Sequence, residues 1–182
     1  MAEDTALSLQ RLTTDFVALQ DRVRLQGELE SGSVVVLWLT QRLLNRLLPV
    51  LWGWLELQAA GSAALSSEAL SPPSLVELEH HYWEQHTAQL LRQPQAPVRA
   101  EVGACEWLVE VVDVQQTPQW LRLLLRAPGQ RPVALLLQPS ALRRWLDILL
   151  QQYAEGQWPT TNWPLWMTGA AAAISAGPAA LH

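Results

Sequence analysis

The sequence contains no lysine: all 12 of its basic residues are arginine. It has one cysteine, Cys105, one phenylalanine, Phe16, and two tyrosines. A lone cysteine excludes an internal disulfide, so packing must hold the fold, and a reduced, cytoplasmic setting is expected. Long apolar runs are also missing. The most lipid-like stretch, residues 47–55, lies between Arg46 and Glu56. It is far short of the roughly 20 residues a spanning helix needs, so no transmembrane segment is expected. Residues 1–4 are acidic and polar, unlike the opening of a secretory signal. Positive charge is scarce overall. A net charge of −5 leaves no basic face for phosphates, which argues against a nucleic-acid partner. There is no Gly-rich phosphate loop, no nucleophile elbow and no paired-histidine zinc motif, so no catalytic residue and no cofactor are assigned.

What is present is apolar and rich in tryptophan. Hydrophobic residues make up 49% of the 182, and 10 are Trp. That is enough to bury a sizeable core in one domain. The pattern is clearest in residues 120–153. Leu121, Leu123 and Leu125 alternate with other positions, as in a strand with one face on a core. Pro128-Gly129 fits a type II turn. Residues 133–137 are continuously apolar, as in a strand covered on both faces. Pro139 suits a helix start. Leu142, Trp145, Leu146, Leu149 and Tyr153 then share one helical face, with Arg143, Arg144, Asp147, Gln151 and Gln152 on the other. Gly156 is read as the stop.

Residues 22–55 carry the same order of strand, turn, strand and helix. Subtracting 98 from each number aligns the two stretches without a gap, with 9 identities in the 30 positions from 22 to 51. Thr40 is the expected N-cap of the first helix and Pro49 is expected to kink it. Residues 58–71 read as a surface loop. Ser74 and Glu77 have capping-box spacing at the start of a middle helix, residues 74–92, whose stripe is Leu75, Leu78, Tyr82, His86 and Leu90. The expected fold is therefore α+β: a duplicated strand-hairpin-helix unit forming an antiparallel sheet, with helices packed on it and a bridging middle helix. One domain is expected over residues 1–157, with units at 7–57 and 105–156. Residues 158–182 read as a Trp/Pro segment followed by an Ala-rich, disordered tail.

Three groups of side chains are candidates for function. His80, His81 and Glu84 lie on the middle helix. His80–Glu84 and Glu77–His81 are spaced i, i+4, so each pair can reach one metal ion, but the pairs project from different sides. The alternative is a solvated polar face with His86 at the core edge. Leu43, Val50 and Trp54 form an apolar excess on the first helix, outside the stripe of Leu44, Leu48, Leu51 and Leu55. That excess predicts self-association unless it is covered from within. Trp158, Trp163 and Trp166 either fold back as a lid or serve as exposed anchors for a partner. The function expected is a non-catalytic protein–protein interaction or assembly factor. The alternatives are a binder of an apolar small molecule in a helix–sheet pocket, and a metal-dependent protein centred on His80 and His81.

Overall fold

A computed structural model describes residues 6–63, 75–90 and 95–169 of the chain. Strands β1 (Leu7–Val17), β2 (Arg22–Leu29) and β3 (Val34–Leu39) form an antiparallel meander that leads into helix α1 (Gln41–Ala63). Helix α2 (Leu75–Leu90) follows. Strands β4 (Cys105–Leu108), β5 (Val111–Gln116), β6 (Leu121–Arg126) and β7 (Val133–Leu137) lead into α3 (Pro139–Glu155) and a short α4 (Leu165–Thr168). Residues 22–55 and 120–153 each run strand, turn, strand, helix, with left-handed Gly32 and Gly129 in the turns.

The sheet is mixed, which corrects the expectation of an antiparallel one. Its order is β4-β3-β2-β1-β7-β6-β5, with parallel pairs at β1–β7 and β3–β4. Each meander has an odd number of strands, so its first and last strands point the same way. When the two meanders lie side by side in one direction, their seams have to run parallel. The outermost strands of the order, β4 and β5, are separated by only two residues. Val109 N–H donates to Trp38 C=O (2.9 Å) and Glu110 N–H to Arg126 C=O (3.0 Å). A single stretch of chain thus serves both edges, and the sheet curls until those edges meet. The alternation of Trp107, Val109 and Val111 predicts one strand here, but the chain bends at Val109–Glu110 to pair with β3 and then β6.

The pairing registers repeat with the sequence offset. Val23 pairs with Leu39, and Leu121 with Leu137. At the seams Leu7 pairs with Val133, and Cys105 with Val35. The seams differ in length: β3–β4 pairs over four residues, β1–β7 over only two, Leu7 and Ser8. A bulge between Leu9 and Arg11 inserts one residue into β1. A bulge bends its strand, and here it carries β1 away from β7.

Alternate Leu and Val of the long strands point into the concave face, where Leu25, Leu37, Leu39, Leu121 and Leu123 are fully buried; Leu136 of β7 faces out and is exposed, so residues 133–137 are not covered on both faces throughout. Helices α1 and α3 lie against that face. Thr40 Oγ1 caps α1 by accepting from Leu43 N–H (3.2 Å), and the helix runs on through Pro49. It also continues to Ala63, so the expected loop at 58–71 is helical as far as 63. The Ala-rich sequence there favours helix. Ser74 and residues 64–71 lie outside the described residues. Gly156 caps the end of α3, as expected, with φ −76°, and Gln157 takes the positive φ. Glycine is needed there because a Cβ would sit 2.9 Å from the Phe16 ring.

Beyond residue 157 the chain folds back, the first of the two alternatives for its tryptophans. Trp158, Trp163, Trp166 and Met167 are buried in the same core as α1 and α3. Trp158 packs edge-on against Phe16 (5.3 Å) and Tyr153 (5.1 Å), and Trp163 against Tyr153 (5.2 Å) and Trp52 (5.6 Å). Each tryptophan fills a site on its own, so no helical or strand period marks the segment. The disorder expected at 170–182 lies outside the described residues.

Trp145 is 5% exposed, and its indole N–H donates to Thr14 Oγ1 (3.1 Å), tying α3 to β1. Trp145→Ala is expected to cost about 3–5 kcal/mol, the range for removing a buried large aromatic. In a thermal melt the midpoint should fall by roughly 10 °C. A shift of about one degree would contradict this placement.

Candidate functional site

Helix α2 does not bury the stripe that its apolar residues suggest. Its buried side chains are His81, Gln85 and Ala88, with Leu78 and Tyr82 half-buried. His86 is exposed, stacking on Tyr82 at 6.3 Å. The reason lies on α3. Arg143, read as an outward residue, is only 4% exposed and projects under α2. Its Nη2 donates to His81 Nδ1 (3.1 Å) and to the Glu84 carboxylate, and its Nη1 to His81 C=O (3.4 Å). The guanidinium lies 5.2 Å from the Trp166 ring centre, and the His81 ring stacks on the same indole at 5.3 Å. Trp166 N–H donates to Glu56 Oε1 on α1 (3.1 Å). Gln85 Nε2 donates to Arg143 C=O (2.8 Å). One arginine therefore holds α2, α3 and α4 together, and Trp166 extends the network to α1.

Of the metal candidates His80, His81 and Glu84, the last two meet here around the Arg143 cation. His80 Nε2 is 3.4 Å from Glu84 Oε1. An arginine can only donate, so His81 Nδ1 must accept and its lone pair is committed. The fixed charge of Arg143 opposes a second cation at the same point. Among the described residues no three His, Cys, Asp or Glu side chains converge on one point. The same contacts explain the titration of His81. Burial, then the charge of Arg143, lower its pKa from 6.5 to about 4, against smaller opposing effects from Glu84 and Glu77; His80 also lowers it. Burial likewise raises the Tyr153 hydroxyl, which donates to Asn45 Oδ1 (2.7 Å), and lowers Arg143.

The interaction candidates separate into two sets. Trp54, Trp158, Trp163 and Trp166 are buried within the chain. Trp54 N–H donates to Thr117 C=O (3.0 Å) and Trp158 N–H to Asp21 Oδ1 (3.0 Å). These indoles are therefore not exposed anchors. Leu43 is half-buried against the core, and Trp52 is met by Trp163, so the apolar excess of α1 is largely covered from within. Val50 remains 44% exposed. Helix α2 carries three exposed apolar residues spaced by seven, Val76 (74%), Trp83 (62%) and Leu90 (73%); of these only Leu90 belongs to the stripe expected from the sequence. Seven-residue spacing was visible in the sequence, but so was the competing stripe through Leu78 and Tyr82.

Two open grooves mark the surface of the described residues. One, of about 720 Å³, lies at the end of the sheet between the β2–β3 and β6–β7 turns, bordered by Arg99, Glu101 and the exposed Cys105. The other, of about 660 Å³, lies where β1 parts from β7. Its walls are β1, residues 135–137 of β7, residues 95–98, and Ala141, Arg144, Trp145 and Ile148 of α3. No helix among the described residues is long and apolar enough to cross a membrane.

His81 has a lowered folded pKa, so the unfolded chain binds the extra proton first. Its contribution is complete above pH 6.5 and is lost as pH falls toward about 4. The expected loss is on the order of 2–3 kcal/mol over that window. Stability measured against pH should be flatter there for His81→Gln, whose carbonyl can still accept from Arg143. Parallel curves for the two proteins would contradict it.

Compared with protein-family models, with curated proteins and with solved structures, the chain matches none.

Proposed function

We propose that the chain is a small non-catalytic interaction protein that presents α2 to a protein partner. The observation that carries this is Trp83. The chain has 10 tryptophans, and Trp83 is the one exposed indole among the described residues, between Val76 and Leu90 on the same helical line. Tryptophan is enriched at binding hot spots, and a fold that buries its other indoles at least in part has no packing reason to leave this one outside. The buried ionisable side chains support the same reading. Arg143 and His81 are occupied in holding helices together.

The same reading takes the two strand-hairpin-helix units as copies of one ancestor. The support is the offset of 98, which relates the hairpin registers Val23–Leu39 and Leu121–Leu137 as well as the two parallel seams. A designed chain carrying the second unit's strands and helix in both places should fold to the same curled sheet. A helical or unfolded product would count against common descent.

The interaction is tested by affinity purification of the intact tagged chain and its Trp83→Ser variant. A partner is expected with the parent and at least about tenfold less with the variant, a loss of some 1.4 kcal/mol in binding. The melting midpoint should be unchanged, because the side chain is largely in solvent. Identical partner recovery by both proteins would overturn the assignment to α2.

A further inference from the structure

We infer that the open seam between β1 and β7 receives an extended peptide from a partner protein, which inserts as an additional strand. This rests on the interaction reading above and assigns a second, separate contact surface. The argument begins with backbone direction. Leu7 N–H donates across the seam to Pro132 C=O (2.8 Å), whereas Ser8 C=O faces β2 and accepts from Glu30 N–H (3.1 Å). The bulge after Leu9 reverses this alternation. Phe16 N–H points away from β2, and the Gln152 side chain accepts from it (2.7 Å). Backbone direction alternates along a strand, so Leu12 and Thr14 direct their N–H and C=O into the seam as well. On the other wall, Pro132 C=O faces β1, so Leu136 presents its backbone to the same space.

Beyond Ser8, β1 pairs with no strand but β2, and beyond Ala134, β7 pairs with none but β6. Two strand edges therefore face each other across a groove instead of bonding. The equivalent seam shows the contrast: β3 and β4 stay paired from Val35 to Trp38, and Val109 N–H continues the line. Where β1 needs a partner and none is near, the chain supplies a Gln152 amide at Phe16. Leu12, Thr14 and Leu136 have no such substitute among the described residues.

The walls define the occupant. Exposed backbone donors and acceptors on both sides call for an extended backbone, the mode of strand addition, rather than a helix or a compact ligand. The volume lies within the range of binding clefts and suits about five residues of strand. Because β1 and β7 run parallel, the inserted strand is antiparallel to both or parallel to both, and the straighter antiparallel bonds favour the first. Alternate side chains would face Ala141, Trp145 and Ile148, which selects apolar residues at every second position. Arg144, at the margin, forms no ion pair among the described residues and selects a carboxylate beside them.

The test is panning of a phage-displayed random dodecapeptide library on the full chain, followed by hydrogen exchange with the most enriched peptide made synthetically. Enriched peptides are expected to alternate apolar residues and to carry Asp or Glu. Binding should slow exchange at Leu12, Thr14 and Leu136 by at least about tenfold. An inserted strand uses every backbone N–H, so methylating any central peptide nitrogen should abolish binding, whereas simple edge addition would tolerate alternate ones. Ala141→Trp, which fills the groove, should lose binding. Arg144→Glu, a half-exposed change that leaves the core intact, should weaken it at least about tenfold. Edge amides already as slow as Leu25 in the free chain would overturn the inference, as would peptides indifferent to both substitutions. Peptides that protect only α2 around Trp83 would overturn it while leaving the interaction reading standing. A library that enriches nothing at any surface would remove both.

Discussion

The structure depends on one stretch of backbone that belongs to both edges of the sheet. Residues 105–116 pair with β3, bend at Val109 and Glu110, and then pair with β6. An open sheet of this size would leave two edges of unpaired amides. Here the edges are consecutive in the chain, and the bonds from Val109 to Trp38 and from Glu110 to Arg126 close the ring. Closure makes the concave face an interior. Leu25, Leu37, Leu121 and Leu123 are then fully buried, and the helices and the Trp158–Met167 segment fill what remains.

The seam that pairs over only two residues, β1–β7, has a local cause. Leu9 packs over Gly27 so closely that a Cβ there would lie 2.2 Å from its Cδ2. The bulge that follows lets β1 switch its inward side chains from Leu9 to Leu12, Thr14 and Phe16. The same extra residue turns the strand edge away from β7. Packing inside and opening outside are thus two effects of one inserted residue. On the helical side, Arg143 provides orientation more than net stability, since a buried guanidinium gives up hydration that its partners only partly replace. It fixes which face of α2 turns inward, and so leaves Trp83 outside.

Much of this was legible in the residues. Alternation in 121–125 and 22–29, the turn glycines, the Thr40 cap and the Leu142–Tyr153 stripe each act locally, and each appears where the sequence puts it. What was not legible depends on distant partners. Nothing around Arg143 signals that it will be buried, because its ligands come from positions some 60 residues earlier. The α2 stripe misleads for the same reason: His81 and Gln85 are inward because an arginine and an indole await them. The direction of the seams follows from how two meanders meet, which no local pattern records. Trp158, Trp163 and Trp166 fill separate sites on the core, so periodicity could not place them.

If closure through residues 105–116 is the governing constraint, the two halves cannot open independently. Native-state hydrogen exchange at the Val109 and Glu110 amides tests this most directly. These amides should exchange only through global unfolding, with the same free energy and denaturant dependence as Leu25 in one half and Leu123 in the other. Exchange at Val109 and Glu110 through a local opening, well below the free energy of either core strand, would contradict the account.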